Sequence, residues 1–335
     1  MKKTTIKALS ATLIYFAFSL YLYQPYFRNF ERFDWLFVLN APLAAVGCFI
    51  LSRRWVGSFW GSFFAGAIYG FGPFMLGMAK FHPTGGFLAA SVPWFFLPAA
   101  FWPRARLRWL TVPLCALPFL AILLFFQAAN SARLFLIPTQ VRLSLEDMAG
   151  LIVPLVMVKK EFSLVGFYHI PVAALMLGFI MLVKARRVGI MTIFCLGLVL
   201  AFSKSFLGVS PVIWLAMPAL CCCVLIGEGT AGFISAGYAD RKWILATGIV
   251  LLAIALVSLL LAVKYFGFFA GLANDYAKLL VEEAKMYIFG VITIGIIFFT
   301  VLSKSRLHWM RTLILCVAMA IDIFLGAAFI VDKVL

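Results

Sequence analysis

Charge is what this chain has least of. Lysine, arginine, aspartate and glutamate make up 12% of its 335 residues. A soluble domain carries about a quarter, so a water-exposed globular fold is excluded. Acids are scarcer still, twelve in all, and histidines number three, which leaves few groups for the chemistry of a soluble hydrolase or metalloenzyme. No P-loop, HExxH or GxSxG pattern occurs, and none of the seven cysteines forms a CxxC pair. The run Cys221-Cys222-Cys223 points in three directions on a helix, so it cannot close a tetrahedral metal site by itself; these thiols read as small packing groups. The N-terminal stretch MKKTTIKALSATLIYFAFSLYLY lacks a small-x-small cleavage site, and Gln24-Pro25-Tyr26 follows instead. It reads as an uncleaved signal anchor. No soluble domain, low-complexity tract or clear internal repeat is visible.

What fills the chain is hydrocarbon. Hydrophobic residues make up 65%, phenylalanine alone occurs 36 times, and the mean hydropathy is +1.09. Between the apolar runs stand six basic clusters: Lys2-Lys3-Lys7, Arg53-Arg54, Arg104-Arg106-Arg108, Lys184-Arg186-Arg187, Arg241-Lys242 and Lys304-Arg306-Arg311. They hold sixteen of the 28 basic residues and recur at nearly every second gap. Cytoplasmic connections of multi-pass proteins retain positive charge in this way. The net charge of +16 therefore belongs to topology, with anionic lipid headgroups as partner, and not to nucleic acid, whose binding gathers basic residues on one face or arm. The fold class is all-α: one polytopic bundle in a bacterial-type inner membrane, with the N-terminus cytoplasmic. The expected spans, about eleven of about 20 residues each, are 8–23, 35–52, 57–79, 86–102, 109–128, 163–183, 188–203, 210–232, 243–265, 286–302 and 312–331.

The outside gaps differ in character. Residues 24–34 and 80–86 are short, whereas 129–162 is long and semi-polar. Within the latter, 147–158 is apolar yet too short to span, and reads as re-entrant or interfacial. Residues 268–285 mix apolar and charged positions at helical spacing, which predicts an interfacial amphipathic helix.

Chemistry has few places to sit. Glu31 and Asp34 stand one helical turn apart in the first outside gap, beside Arg28 and Arg32, at the level where a lipid-borne phosphate lies. A carboxylate there suits general-base activation of a hydroxyl, with the arginines on phosphate; the alternative is a solvated loop with local ion pairs. His82 and His169, with Lys159 and Lys160, could contact the same headgroups or serve only structure. Inside the spans, Asp322 and Glu228 are carboxylates in a place where charge is rare and functional by default. Asp322 suits either a proton relay or a helix–helix hydrogen bond. Glu228, in Gly227-Glu228-Gly229-Thr230, could also reach the interface or pair with Arg241 or Lys242.

Some stretches are familiar. Leu39-Asn40-Ala41-Pro42, then Cys48-Phe49-Ile50-Leu51-Ser52-Arg53-Arg54, then Phe64 to Phe74 (FAGAIYGFGPF) present a basic pair followed by an AG-(Y/F)-x-F-(S/G)-P helix end. A short outside gap with a histidine follows, Lys80-Phe81-His82-Pro83, and then Ser91-Val92-Pro93-Trp94. Phe167-Tyr168-His169-Ile170-Pro171 and Lys184-Ala185-Arg186-Arg187 continue the pattern. Over roughly residues 36–235 the chain resembles membrane proteins of the YfhO and GT-C glycosyltransferase type. The resemblance implies transfer of a sugar from a polyprenyl-phosphate donor on the outer face, with Asp34 or Glu31 as catalytic acid. It also implies a phosphate rim of Arg28, Arg32, His82, Lys159, Lys160 and His169, and a divalent cation is compatible with Asp34. The first loop is short for that family, no large soluble domain follows the spans, and the arginine-rich stretch expected near Pro211–Ala219 is absent, as in a shortened relative. Two other classes stay open: a non-catalytic subunit of a larger membrane complex, and a proton-coupled transporter using Asp322.

Overall fold

A long apolar segment in hydrocarbon must satisfy every backbone N–H and C=O internally, and a helix does so with no partner. In a computed structural model the described residues are 2–30, 34–81, 83–101, 188–204, 206, 209–268, 274–303 and 308–334, with separate positions between 113 and 128 and at 175, 178 and 179. Their helices are α1 (Lys2–Tyr23), α2 (Trp35–Ser52), α3 (Phe59–Phe71), α4 (Pro73–Phe81), α5 (Pro83–Phe101), α6 (Val188–Phe202), α7 (Ala216–Ser235), α8 (Arg241–Phe268), α9 (Asn274–Leu302) and α10 (His308–Val334). Short 3-10 turns precede α2 at Gln24–Asn29, α7 at Pro211–Leu215 and α8 at Tyr238–Asp240. No β-strand occurs among the described residues, only an isolated bridge between Phe206 and Val209. Seven helical stretches among them are long and apolar enough to cross a membrane, and two shorter ones, Gly85–Pro98 and Ile190–Phe202, are apolar as well.

The helix ends sort into two faces. At one, which we term the basic end, Lys7 near the start of α1 lies 5.7 Å over the Phe59 ring at the start of α3. There too, Arg311 near the start of α10 reaches Ala236 beyond α7 and Thr300 near the end of α9. At the opposite face the Tyr26 hydroxyl donates to Asp332 at 2.6 Å, joining the turn after α1 to the end of α10. Arg53-Arg54, at the end of α2, and Arg241-Lys242, at the start of α8, fall on the basic end by the same alternation. The expected grouping of basic clusters on one face is met by those the structure describes.

The centre is built from small residues. Gly66 and Gly70 of α3, a GxxxG pair, lie against the carbonyls of Ala45 and Ala41 on α2, where an added Cβ would stand 2.5 and 2.3 Å from those oxygens. Such pairs let backbones approach and gain van der Waals contact that lipid cannot supply as well. On another face of α3, Gly61 meets Gly227 of α7. The segment Pro211–Ser235, which includes α7, is 94% buried over its most apolar window, whereas α1 and α8 lie in segments only 28% buried. A helix apolar all round belongs at the centre of a bundle, and α7 takes that place.

Two prolines sit inside helices without leaving a carbonyl unserved. Pro42 in α2 has no N–H for the Val38 carbonyl, and the Ser19 hydroxyl of α1 donates to that oxygen at 2.7 Å. Pro93 in α5 removes the donor for Ala89, and the Tyr69 hydroxyl of α3 donates there at 2.7 Å. Ser19 and Tyr69 are both buried. Ser19→Ala should therefore cost about 1–3 kcal/mol, the desolvation cost of an orphaned carbonyl. Ser19→Ala with Pro42→Ala should recover much of it, because the new amide restores the donor; titration with SDS, followed by helical circular dichroism, reads both.

Some expectations are refined. The span expected over 57–79 is present as the membrane-length stretch Phe59–Met78, with a break inside it: α3 stops at Phe71, Gly72 is extended, and Pro73 starts α4, since a proline suits a first helical turn and disfavours helix in the residue before it. The separate amphipathic helix over 268–285 is, from Asn274 onward, the beginning of α9, which runs unbroken to Leu302. Arg311, expected in the basic cluster before the span 312–331, lies inside α10 and is 3% exposed. Most of the spans expected at 109–128 and 163–183, and the whole segment 129–162, lie outside the described residues.

Candidate functional site

Two places hold the residues that the sequence singles out. The first is the face opposite the basic end, where α2 begins. Asp34 immediately precedes α2, and its backbone carbonyl accepts from the Phe37 N–H at 2.9 Å. Its side chain does not cap the helix. Six residues earlier Arg28 is exposed on the 3-10 turn. Between them is an aromatic group: Phe27 stacks on Trp35 at 5.3 Å between centroids, and Phe30 meets both rings edge-on at 5.4 and 5.6 Å. Trp35 is 50% exposed, as aromatic residues are at a membrane–water boundary. Glu31, Arg32, Lys159, Lys160 and His169 lie outside the described residues, as does His82, which separates α4 from α5. Of the expected acids and phosphate rim, the structure describes Asp34 and Arg28 and puts both on one face.

The second place is inside the bundle. Between α7, α8, α9 and α10 lies a small, partly open cavity of about 70 Å³. Its walls include Phe233, Leu251, Met286, Leu315 and Met319, and Asp322 contributes a carboxyl group. Asp322 comes fourteen residues after the start of α10, about 21 Å along a helix of about 40 Å, so it sits near mid-span. An aspartate at that depth costs about 2.5–3.5 kcal/mol to insert on biological scales, which makes its place on a cavity wall meaningful. Tyr287, also on the wall, lies within electrostatic reach of both Asp322 and Glu283. Glu283, one turn before it on α9, is fully buried. Thr230 and Thr293 line the cavity with their hydroxyls turned back onto Ile226 and Phe289 carbonyls, at 2.8 and 2.9 Å. Those bonds leave the cavity face of both threonines mostly methyl.

Glu228 is 7% exposed on α7, next to the Gly61–Gly227 crossing and two turns before the helix ends. It is therefore enclosed by the bundle. Arg241, one of its expected partners, lies over the Tyr238 ring at 4.1 Å. Cys48, Cys221, Cys222 and Cys223 are buried, in agreement with a packing role. Among the described residues no three His, Cys, Asp or Glu side chains come together as a metal site.

Sequence reasoning overlooked a polar clasp at the basic end. Arg311 Nε donates to Thr300 Oγ1 at 3.2 Å, Nη2 to the Thr300 carbonyl at 3.2 Å, and Nη1 to the Ala236 carbonyl. The His308 Nδ1 is 3.2 Å from the Ile234 carbonyl. One guanidinium thus serves a last-turn carbonyl of α9 and the carbonyl just beyond α7, near helix C-termini where the dipole is negative and a cation is favoured. Spacing carried a signal: Arg311, Leu315, Met319 and Asp322 recur on one face of α10.

The fold defines a multi-helix chain with seven membrane-length helices among its described residues. No protein family, curated protein or solved structure compared with it matches.

Proposed function

We propose that the chain is a multi-pass protein of a bacterial-type inner membrane that handles a polyprenyl-phosphate-linked sugar on its outer face, in the manner of a GT-C glycosyltransferase. The proposed topology has about eleven spans, with the basic end and the N-terminus cytoplasmic. The observation that carries the reading is the juxtaposition at the start of α2. A carboxylate (Asp34), an exposed guanidinium (Arg28) and a half-exposed indole (Trp35) fall within eight residues on the face away from the basic clusters.

In this reading Asp34 accepts the proton of an acceptor hydroxyl as its oxygen attacks the anomeric carbon. The bond from that carbon to the phosphate oxygen breaks, and polyprenyl phosphate leaves with the electron pair. Arg28, with Arg32, neutralises the departing phosphate, a role suited to the planar guanidinium fork. Trp35 offers a flat apolar face for a sugar ring.

Asp34→Asn keeps the volume of the side chain and removes its basicity, so sugar transfer from a polyprenyl-phosphate donor should fall about 10²–10⁴-fold with no change in unfolding. Arg28→Ala should weaken retention of polyprenyl phosphate, measured by native mass spectrometry of the gently extracted protein. Unchanged transfer in Asp34→Asn would sink the assignment. A stoichiometric protein partner, with no such lipid in the wild type, would favour the subunit reading.

A further inference from the structure

We propose that the junction of α1, α2 and α3 at the basic end is a binding site for one anionic phospholipid, whose phosphate is held by Lys7, Arg53 and Arg54. The site is at the opposite end of the bundle from the start of α2 and does not rest on the transferase reading. Three observations carry the inference.

The first is convergence. The turn from α2 to α3 is fixed by its backbone: the N–H groups of Arg53, Arg54, Trp55 and Val56 donate back to the carbonyls of Phe49, Leu51 and Ser52 at 2.7 to 3.1 Å, and Val56 is buried. The Ser52 hydroxyl, within 3.4 Å of the Ser62 carbonyl, ties the end of α2 to α3. On this turn the Arg53 guanidinium donates to the Gly57 carbonyl at 3.4 Å. From α1, Lys7 Nζ stands 5.7 Å from the centroid of the Phe59 ring. Cations from two helices are thereby brought to residues 57 and 59 of one turn, and Arg54 is exposed beside them.

The second is the balance of charge. Arg54 makes no side-chain hydrogen bond or ion pair among the described residues, and neither Lys7 nor Arg53 forms an ion pair there. None of α1 to α5 contains an aspartate or glutamate, and residues 53–58 contain none either. Glu228, beside the Gly61–Gly227 crossing, is buried in the bundle. Elsewhere at this end Arg311 is buried in its clasp, and Arg241 lies over the Tyr238 ring next to Asp240. Three positive charges gathered without an acid favour an anion, and a phosphate accepts from guanidinium and ammonium alike.

The third is depth. Trp60 is 42% exposed, with its ring 5.3 Å from that of Phe59. An exposed indole at the end of a membrane-length stretch marks the headgroup boundary, so Lys7 stands at the level of lipid phosphates. Ile14, about two turns along α1 from Lys7, is exposed as well and offers hydrocarbon to an acyl chain. A soluble phosphate would meet only the cations, whereas a lipid covers the apolar surface too.

The full chain, purified in detergent and freed of lipid, is titrated with phosphatidylglycerol, and bound lipid is counted by native mass spectrometry. Phosphatidylcholine of the same chain length is the zwitterionic control. One phosphatidylglycerol per chain is expected to outlast any others as collision energy rises. A basic residue at an anionic surface contributes about fivefold. Arg53→Gln with Arg54→Gln should therefore weaken that lipid at least tenfold, and Lys7→Gln about fivefold. Arg241→Gln with Lys242→Gln removes the same charge from the start of α8 and should leave the affinity within about twofold of the wild type. Glycerol 3-phosphate should not displace the lipid at equal concentration.

Equal binding of phosphatidylcholine overturns the proposal. So does displacement by glycerol 3-phosphate, which would mark a site for soluble phosphates. Equal losses in the two double variants overturn it too, since the attraction would then come from net charge and not from this junction. Should Arg53→Gln with Arg54→Gln fail to fold, Lys7→Gln with Arg54→Gln removes no hydrogen bond, and unchanged affinity in that variant overturns the proposal equally. Sugar transfer is assayed in parallel, and its loss or retention leaves this result untouched.

Discussion

Arg311→Met should destabilise the bundle by about 3–5 kcal/mol, read as a shift in the SDS concentration that unfolds half the protein. The magnitude follows from what would be left behind. The guanidinium serves the carbonyls of Ala236 and Thr300 and the Thr300 hydroxyl, and it is 3% exposed. Hydrogen bonds to a charged group contribute about 1.5–3 kcal/mol each, and breaking a buried charged arrangement from one side costs about 3–5 kcal/mol in total. Methionine retains the apolar stem, so the loss isolates the polar contacts from packing. Arg311→Lys should recover less than half, because an ammonium cannot span two helices with a planar fork. Thr300→Val combined with Arg311→Met should be less than additive, since both variants remove one shared bond. Full additivity would mean that the two helix ends are held by something else.

Gly61→Leu should prevent assembly altogether, and Gly61→Ala should already cost about 2–3 kcal/mol, toward the upper part of the overpacking range. A Cβ on Gly61 would lie 2.4 Å from the Gly227 carbonyl oxygen, and one on Gly227 would lie 2.7 Å from the Gly61 carbonyl oxygen. Backbone atoms cannot swing aside as a side chain can, so α3 and α7 would have to move apart along their crossing. Gly295→Ala is the matched control. It is in the interior of α9 with nothing within 4 Å of its added Cβ. There the same chemical change should stabilise by about 0.5–1 kcal/mol, from the lower helix propensity of glycine. Opposite signs at positions 61 and 295, in one SDS titration series, would establish that the distance between helices decides the outcome and not glycine content. Equal signs would refute it.

The reach of the sequence varied with the kind of information involved. Helix positions were readable because long apolar runs have one solution in hydrocarbon and basic clusters mark their ends; α1, α2 and α6 lie close to their expected spans. The break at Gly72-Pro73 was written in the sequence, but hydropathy averages over a window and passes straight through it. Arg311 was grouped with its cytoplasmic neighbours because hydropathy scores an arginine as polar wherever its side chain goes. What buries it is the arrival of two other helix ends, a tertiary event with no local signature. Glu283 was assigned to a surface helix for the same reason. Asp322 was legible as an oddity of mid-span charge, whereas the cavity beside it depends on the distances among four helices. At the start of α2, Asp34 and Arg28 could be paired by spacing alone; the stacking of Phe27 on Trp35 between them could not.

The hairpin of α8 and α9 has a mechanical consequence. α8 packs mainly along α9 and is in a segment only 28% buried, while the clasp at Arg311 ties the last turn of α9 to the end of α7. The arrangement is that of a lever with one fixed end. α9 has 29 residues, so it measures about 43 Å. A tilt of about 10° around the clasp would carry its far end about 7 Å while shifting Thr300 hardly at all. Tyr287 stands roughly halfway along that arm, about 20 Å from the fulcrum, so the same tilt would widen the space in front of Asp322 by about 3 Å. Were α9 to tilt in this way, the width of the cavity would follow by leverage, with its fulcrum at the Arg311 clasp at the other end of the helix.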